Sequence, residues 1–199
     1  MSCDNTRAPR EGKRSHTKGI AMNATDLCYT PATRVAEMIR TKALSPVELT
    51  RAVLERIERL NPKVNAFCTL LADAAVDSAR AAEAAVMKGG PLGPLHGIPF
   101  SIKDLAFTKG VRTMGGSFIY EHRVPDLDAP YVRRLKEAGG VFLGKTTTPE
   151  FGWKGLSDSP LTGATRNPWN LAMTAGGSSA GGGAGGGCGL GSLHQCSDG

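Results

Sequence analysis

The sequence predicts an α/β fold, a mixed or mostly parallel sheet flanked by helices. Three observations carry that expectation. Short apolar, β-prone runs at 64–71, 97–104 and 141–144 are separated by helical patterns instead of following one another. The helical patterns carry recognisable start and stop residues. The 199 residues, 40% hydrophobic and 21% charged, suffice for one sizeable soluble domain.

Residues 1–24 read as a disordered extension. They are polar, carry Arg7, Arg10, Lys13, Arg14 and Lys18, and have no periodicity. Asp4, Glu11 and the absence of an apolar face speak against a transit peptide, and Met22 is a second candidate start. Residues 25–199 are then the domain. Val35, Ala36, Met38 and Ile39 mark a short amphipathic helix at 32–41. Ser45 is placed to cap the next helix, Pro46 suits its first turn, and Glu48 completes a capping box. Val47, Leu49, Ala52, Val53, Ile57 and Leu60 give that helix one apolar face, and Asn61-Pro62 is expected to end it. Alanine-rich 73–88 is a third helix, stopped by Gly89-Gly90-Pro91.

The run 97–104 is a short strand that delivers Lys103 at its end. Asp128 is placed to cap a fourth helix, with Pro130 in its first turn and Tyr131, Val132 and Leu135 facing inward. Gly139-Gly140 ends it before the buried strand 141–144, and 146–170 is rich in turn residues. Of 26 glycines, ten fall between positions 176 and 191. Six of them stand between 181 and 187. At about 1 kcal/mol each relative to alanine, they cost a helix there roughly 6 kcal/mol, comparable to a whole domain's stability. Any helix in the tract is expected to be marginal.

Composition narrows the function classes. Net charge is +6, but the basic residues are scattered and no aromatic platform accompanies them, so direct nucleic-acid binding is not expected. No apolar run approaches the ~20 residues that span a bilayer, so no membrane association is expected. Five widely spaced cysteines and no secretory h-region point to a reduced, cytoplasmic setting.

Two stretches carry chemistry. Lys103 follows Leu95, Ile98, Phe100 and Ile102. It reads either as a solvated surface lysine or as one buried with its strand, whose neutral amine can take a proton from a serine. Gly176-Gly177-Ser178-Ser179 reads either as a flexible linker or as a tight turn presenting hydroxyls that relay protons. Three other patterns are weaker. The run 139–146 matches the phosphate-binding pattern G-x-x-x-x-G-K-[ST], but it follows a helix and has an apolar, strand-like middle. Gly181, Gly183 and Gly186 match G-x-G-x-x-G inside a tract where such a match is nearly inevitable. Cys188, His194 and Cys196 make an incomplete set of metal ligands.

Taken in order, G-P-L-H-G-I-P-F-S-I-K-D, G-K-T-T-T-P-E-F-G, T-R-N-P-W and G-G-S-S resemble the amidase signature family from about position 32 to the end. The resemblance implies the N-terminal part of an amidase signature domain, incomplete at its C-terminus. It implies hydrolysis of a small-molecule carboxamide to a carboxylate and ammonia or amine. Lys103 would be the general base and Ser178 the bridging serine of a Ser–Ser–Lys triad. Ser179, Gly176 and Gly177 would support the site. No metal or organic cofactor is implied.

The family's nucleophile closes the motif S/T-D-x-G-G-S. Ser197-Asp198-Gly199 matches its first three positions, which places the nucleophile at position 202. Its oxyanion hole belongs to the same loop. The 199 residues are therefore expected to be inactive alone, as a fragment or a degraded copy. The resemblance leaves open a glutaminase subunit of a tRNA-dependent amidotransferase, with its partner subunits, and a non-catalytic remnant. A homodimer is the other partner arrangement it allows.

Overall fold

The computed structural model describes residues 22–197, so most of the extension read at 1–24 lies outside the described residues. Asn23 caps helix α1 (Ala24–Cys28), its Oδ1 accepting from the Asp26 N–H at 2.9 Å. Helix α2 (Ala32–Arg40) buries Val35, Ala36 and Ile39 on one side. Ser45 caps helix α3 (Pro46–Val64) by accepting from the N–H groups of Val47 and Glu48. Its own hydroxyl proton goes to Glu83 at 2.5 Å.

Helix α3 does not stop at Pro62. Pro62 is exposed on the same side as Glu58, four residues back. The carbonyl it leaves without a partner can therefore meet water. Buried Val64 draws the last turn inward, and the chain leaves the helix at Asn65 through a left-handed φ of 52°. Asn61 then ties the helix end to strand β1 (Phe67–Leu70). Its Oδ1 accepts from Ala66 and Phe67, and its Nδ2 donates to the Phe67 carbonyl.

Helix α4 (Ala72–Lys88) turns Ala75, Ala79, Ala82 and Val86 inward. The small stripe lets it lie close against α3 and the sheet. Strand β2 (Pro99–Lys103) is buried along its whole length. Helix α5 (Pro130–Glu137) and strand β3 (Val141–Thr146) follow. The cap of α5 is Ala129 and not Asp128. The Asp128 carboxylate instead takes the Lys109 N–H at 2.8 Å and the Lys136 ammonium at 2.8 Å. Val132 is fully buried as expected, but Tyr131 faces outward.

The turn-rich stretch forms two small hairpins. One pairs β4 (Asp158–Ser159) with β5 (Gly163–Ala164), the other β6 (Arg166–Asn167) with β7 (Asn170–Thr174). Helix α6 (Ala180–Cys188) and strand β8 (Leu193–Gln195) complete the described chain. The main sheet has the order β1-β3-β2-β8. Strands β3, β2 and β8 are parallel, and β1 runs antiparallel to β3, so the sheet is mixed. Val141, Leu143 and Ile98 join the main core with α1 to α4 and α6. Phe100, Ile102, Ala106 and Val132 form a second core with α5.

Helix α6 forms despite its six glycines, because most of them are needed where they stand. A methyl on Gly181 would collide with the Ala66 carbonyl and the Thr147 backbone. One on Gly182 would come within 2.6 Å of Cys196 Sγ, one on Gly185 within 2.7 Å of His194, and one on Gly187 within 2.8 Å of Trp169. Close packing offsets the missing intrinsic propensity. The helix end is also satisfied from outside. Arg56 Nε donates to the Cys188 carbonyl at 2.5 Å, and the Tyr29 hydroxyl donates to the Gly187 carbonyl at 3.1 Å.

Candidate active site

Strand alternation decides which way each side chain of β2 points. Ser101 and Lys103 face α6, while Phe100 and Ile102 face α5. Lys103 is 2% exposed, so it is buried with its strand and is no surface lysine. Its N–H donates to Gln195 Oε1 at 3.3 Å. Its Nζ donates to Ser178 Oγ at 2.6 Å and to Ser197 Oγ at 3.0 Å.

The Gly176-Gly177-Ser178-Ser179 turn brings the serines there. Gly176 has a φ of 79°, a conformation that a side chain resists. Any Cβ on Gly177 would strike the Leu156 carbonyl. The Gly177–Ser178 peptide is cis. Thr174 Oγ1 holds the turn by accepting from the Gly176 N–H at 3.1 Å. Ser179 stands at the N-terminus of α6 without a capping bond of its own. Its hydroxyl donates to the Ser197 carbonyl at 2.8 Å and accepts from the Ser197 N–H at 3.1 Å. The first turn of α6 is tied to the end of β3 by the bond from Gly181 N–H to the Thr147 carbonyl. Lys103, Ser178 and Ser197 thus meet in one hydroxyl–amine network that can pass a proton, and Ser179 holds Ser197 in it.

The other sequence patterns resolve differently. Lys145 is no phosphate-loop lysine. It lies in β3, fully buried, opposite Ile102 and so on the α5 face. Its Nζ donates to the Ala106 carbonyl at 2.6 Å, Thr113 Oγ1 at 3.0 Å and Thr108 Oγ1 at 3.1 Å, and stands 3.8 Å from Asp104. Burial pushes the Asp104 carboxyl up and pulls the Lys145 amine down, each opposed by the other's charge. Gly181 and its neighbours lie inside a helix, not in a dinucleotide turn. Among the described residues no three His, Cys, Asp or Glu side chains gather as metal ligands, so Cys188, His194 and Cys196 do not form a set. His194 Nδ1 instead pairs with Ser101 Oγ at 2.7 Å, and burial pulls its pKa down to about 4. His96 bonds the Ala82 carbonyl at 2.9 Å.

Sequence reasoning points to Lys103, Ser178, Ser179, Gly176 and Gly177, and the structure brings all five to one place. It misses Gln195, Ser197, and the Lys145–Asp104 pair. Ser197 carries a signal, because it opens the S/T-D-x-G-G-S match at 197–199.

A model of the Amidase family matches residues 48–199, and the chain belongs to that family of amidase signature enzymes. Among its relatives is an acylamidase of Rhodococcus erythropolis, 40% identical over 178 residues, 89% of this chain and 37% of that protein. A glutamyl-tRNA(Gln) amidotransferase subunit of Geobacter metallireducens is 45% identical over 144 residues, 72% of this chain and 30% of that protein. Among solved structures, a fatty acid amide hydrolase superposes with a TM-score of 0.82 at 30% identity, covering 86% of this chain and 30% of its own. A bacterial aryl acylamidase superposes with a TM-score of 0.74 at 32% identity, covering 77% of this chain and 32% of its own. The chain spans about a third of the length of the curated relatives it matches.

Proposed function

We propose that this site belongs to an amide hydrolase that works through a Ser–Ser–Lys relay. The observation that supports it most is the 2.6 Å bond from Nζ of the buried Lys103 to Oγ of the half-buried Ser178. Desolvation favours the unprotonated amine of a buried lysine, and only that form can act as a base. Lys103 takes the proton of Ser178, and Ser178 takes the proton of a nucleophilic serine as it attacks the amide carbonyl. The same proton returns along the relay to the leaving nitrogen. Water then releases the acyl group as a carboxylate.

The nucleophile is the serine that closes the motif opened by Ser197, and the 199 residues by themselves turn over no amide. The substrate is a small linear carboxamide, and the reaction runs in the cytoplasm. Cys28, Cys68, Cys188 and Cys196 are free thiols. Among the described residues no helix is long and apolar enough to cross a membrane.

The test is an assay of the protein at its natural length against a panel of carboxamides, with the 199-residue chain beside it. Lys103→Met and Ser178→Ala should each lower kcat by roughly 10²–10⁴-fold with the fold intact. Full turnover by either variant, or by the 199-residue chain, would sink the relay as written.

A second reading has a specific observation in its favour. Several relatives at 40–45% identity are subunits of glutamyl-tRNA(Gln) amidotransferases. In that reading the amide is glutamine and the protein works with partner subunits. Copurification of such subunits, together with glutaminase activity, would select it over a free-standing amidase.

A further inference from the structure

We propose that Lys145, with Asp104, is a positioning residue for Lys103, acting through the backbone that continues β2. The inference rests on the amide-hydrolase reading in taking Lys103 as the base. Lys145 and Lys103 point to opposite faces of the sheet, because Lys145 sits opposite Ile102 and Lys103 opposite Thr146. Lys145 therefore reaches Lys103 through the main chain. The Lys103 carbonyl accepts from the Ala106 N–H at 3.1 Å. The Ala106 carbonyl in turn accepts from Lys145 Nζ at 2.6 Å. The remaining two bonds of Lys145 Nζ go to Thr108 and Thr113, further along the same loop. Three acceptors match the three N–H bonds of an ammonium.

Asp104 closes the loop from its other end. Its Oδ2 accepts from the N–H groups of Met114 and Gly115 at 3.0 and 3.1 Å, and its Oδ1, with no hydrogen-bond partner, faces Lys145. The loop of residues 104–115 is thus wound around two opposite charges, and it begins at the residue after the base. A buried charge pair costs desolvation that an apolar pair would avoid, so its use here calls for a return other than stability. Fixing the last residue of β2 against the hydroxyls of Ser178 and Ser197 is that return. A shift of the strand end by an ångström would break a 2.6 Å bond.

The experiment uses the natural-length protein, labelled with ¹³C and ¹⁵N in its lysines and backbone. The variants are Lys145→Met and the double variant Thr108→Val/Thr113→Val, which keeps the charge pair and removes two of its three anchors. In both, the Lys103 Nζ resonance should move, and amide exchange at Ala106 should quicken at least tenfold while α3 stays protected. The kcat should fall at least tenfold with KM within twofold. An unmoved Lys103 resonance and unchanged Ala106 exchange in a folded variant overturn the proposal. If Lys145→Met does not fold, the threonine pair decides. If the wild-type protein hydrolyses no amide, the amide-hydrolase reading fails on its own, and resonance and exchange still decide whether Lys145 positions Lys103.

Discussion

His194 lies against the bare Cα of Gly185: a methyl group there would stand 2.7 Å from the imidazole Cε1. Gly183, two residues earlier in the same helix, has nothing within 4 Å of the corresponding point. The pair separates intrinsic propensity from packing. Gly183→Ala should stabilise the protein by about 1 kcal/mol. Gly185→Ala should destabilise it by about 1–3 kcal/mol, because the ring has to give way. Thermal or denaturant melts of the two variants check this, and equal effects of the same sign would show that the glycines are not there for packing.

His194 also gives the stability a defined pH dependence. Burial holds its pKa at about 4, below the ordinary 6.5. The unfolded chain then binds more protons than the folded one between those values. Stability from this group is present above pH 6.5 and is lost as the pH falls towards 4, in total on the order of 3 kcal/mol. His194→Gln should flatten the slope of stability against pH in that window. Identical slopes in the two proteins would refute the assignment.

Ser179 meets Ser197 through two hydrogen bonds, one to its carbonyl and one from its N–H. Ser179→Ala in the natural-length protein should release Ser197 from the network. We expect a loss of roughly 10–100-fold in kcat, smaller than that for Ser178→Ala. Steady-state kinetics of the two variants side by side provide the check, and an equal or larger loss for Ser179→Ala would reverse their roles.

Lys145 and Asp104 should show the asymmetry of a buried pair. Lys145→Met alone leaves a buried carboxylate without its counter-ion and should cost about 3–5 kcal/mol. Lys145→Met with Asp104→Asn should cost less than the two single changes summed. A double-mutant cycle read by denaturant melts measures the difference, and simple additivity would mean the two charges do not interact.

Local signals are legible where the relevant partners lie close in sequence. Ser45 and Pro46 announce α3, and the apolar run into Lys103 announces a buried strand. Pro62 misleads because the sequence does not say that the broken carbonyl faces solvent. Asp128 misleads because its partners, Lys109 and Lys136, come from a loop and from the last turn of the helix. The glycine tract is the largest difference. Propensity counts each glycine by itself, whereas the groups that require Gly181, at Ala66 and Thr147, belong to other elements. Lys145 sits in a pattern whose local letters are those of a phosphate loop, and only its pairing with β2 shows otherwise.

Helix α6 has almost no side chains with which to hold itself together. Its order is lent by β8, β3 and the arginine at its far end. Such a segment opens as a unit of its own when its lenders loosen, before the rest of the molecule unfolds. Ser178 and Ser179 stand just ahead of its first turn, so the hydroxyls of the proposed site should scatter early on warming. Loss of the site would then precede loss of the fold by several degrees, and amide exchange in α6 would run ahead of that in α3.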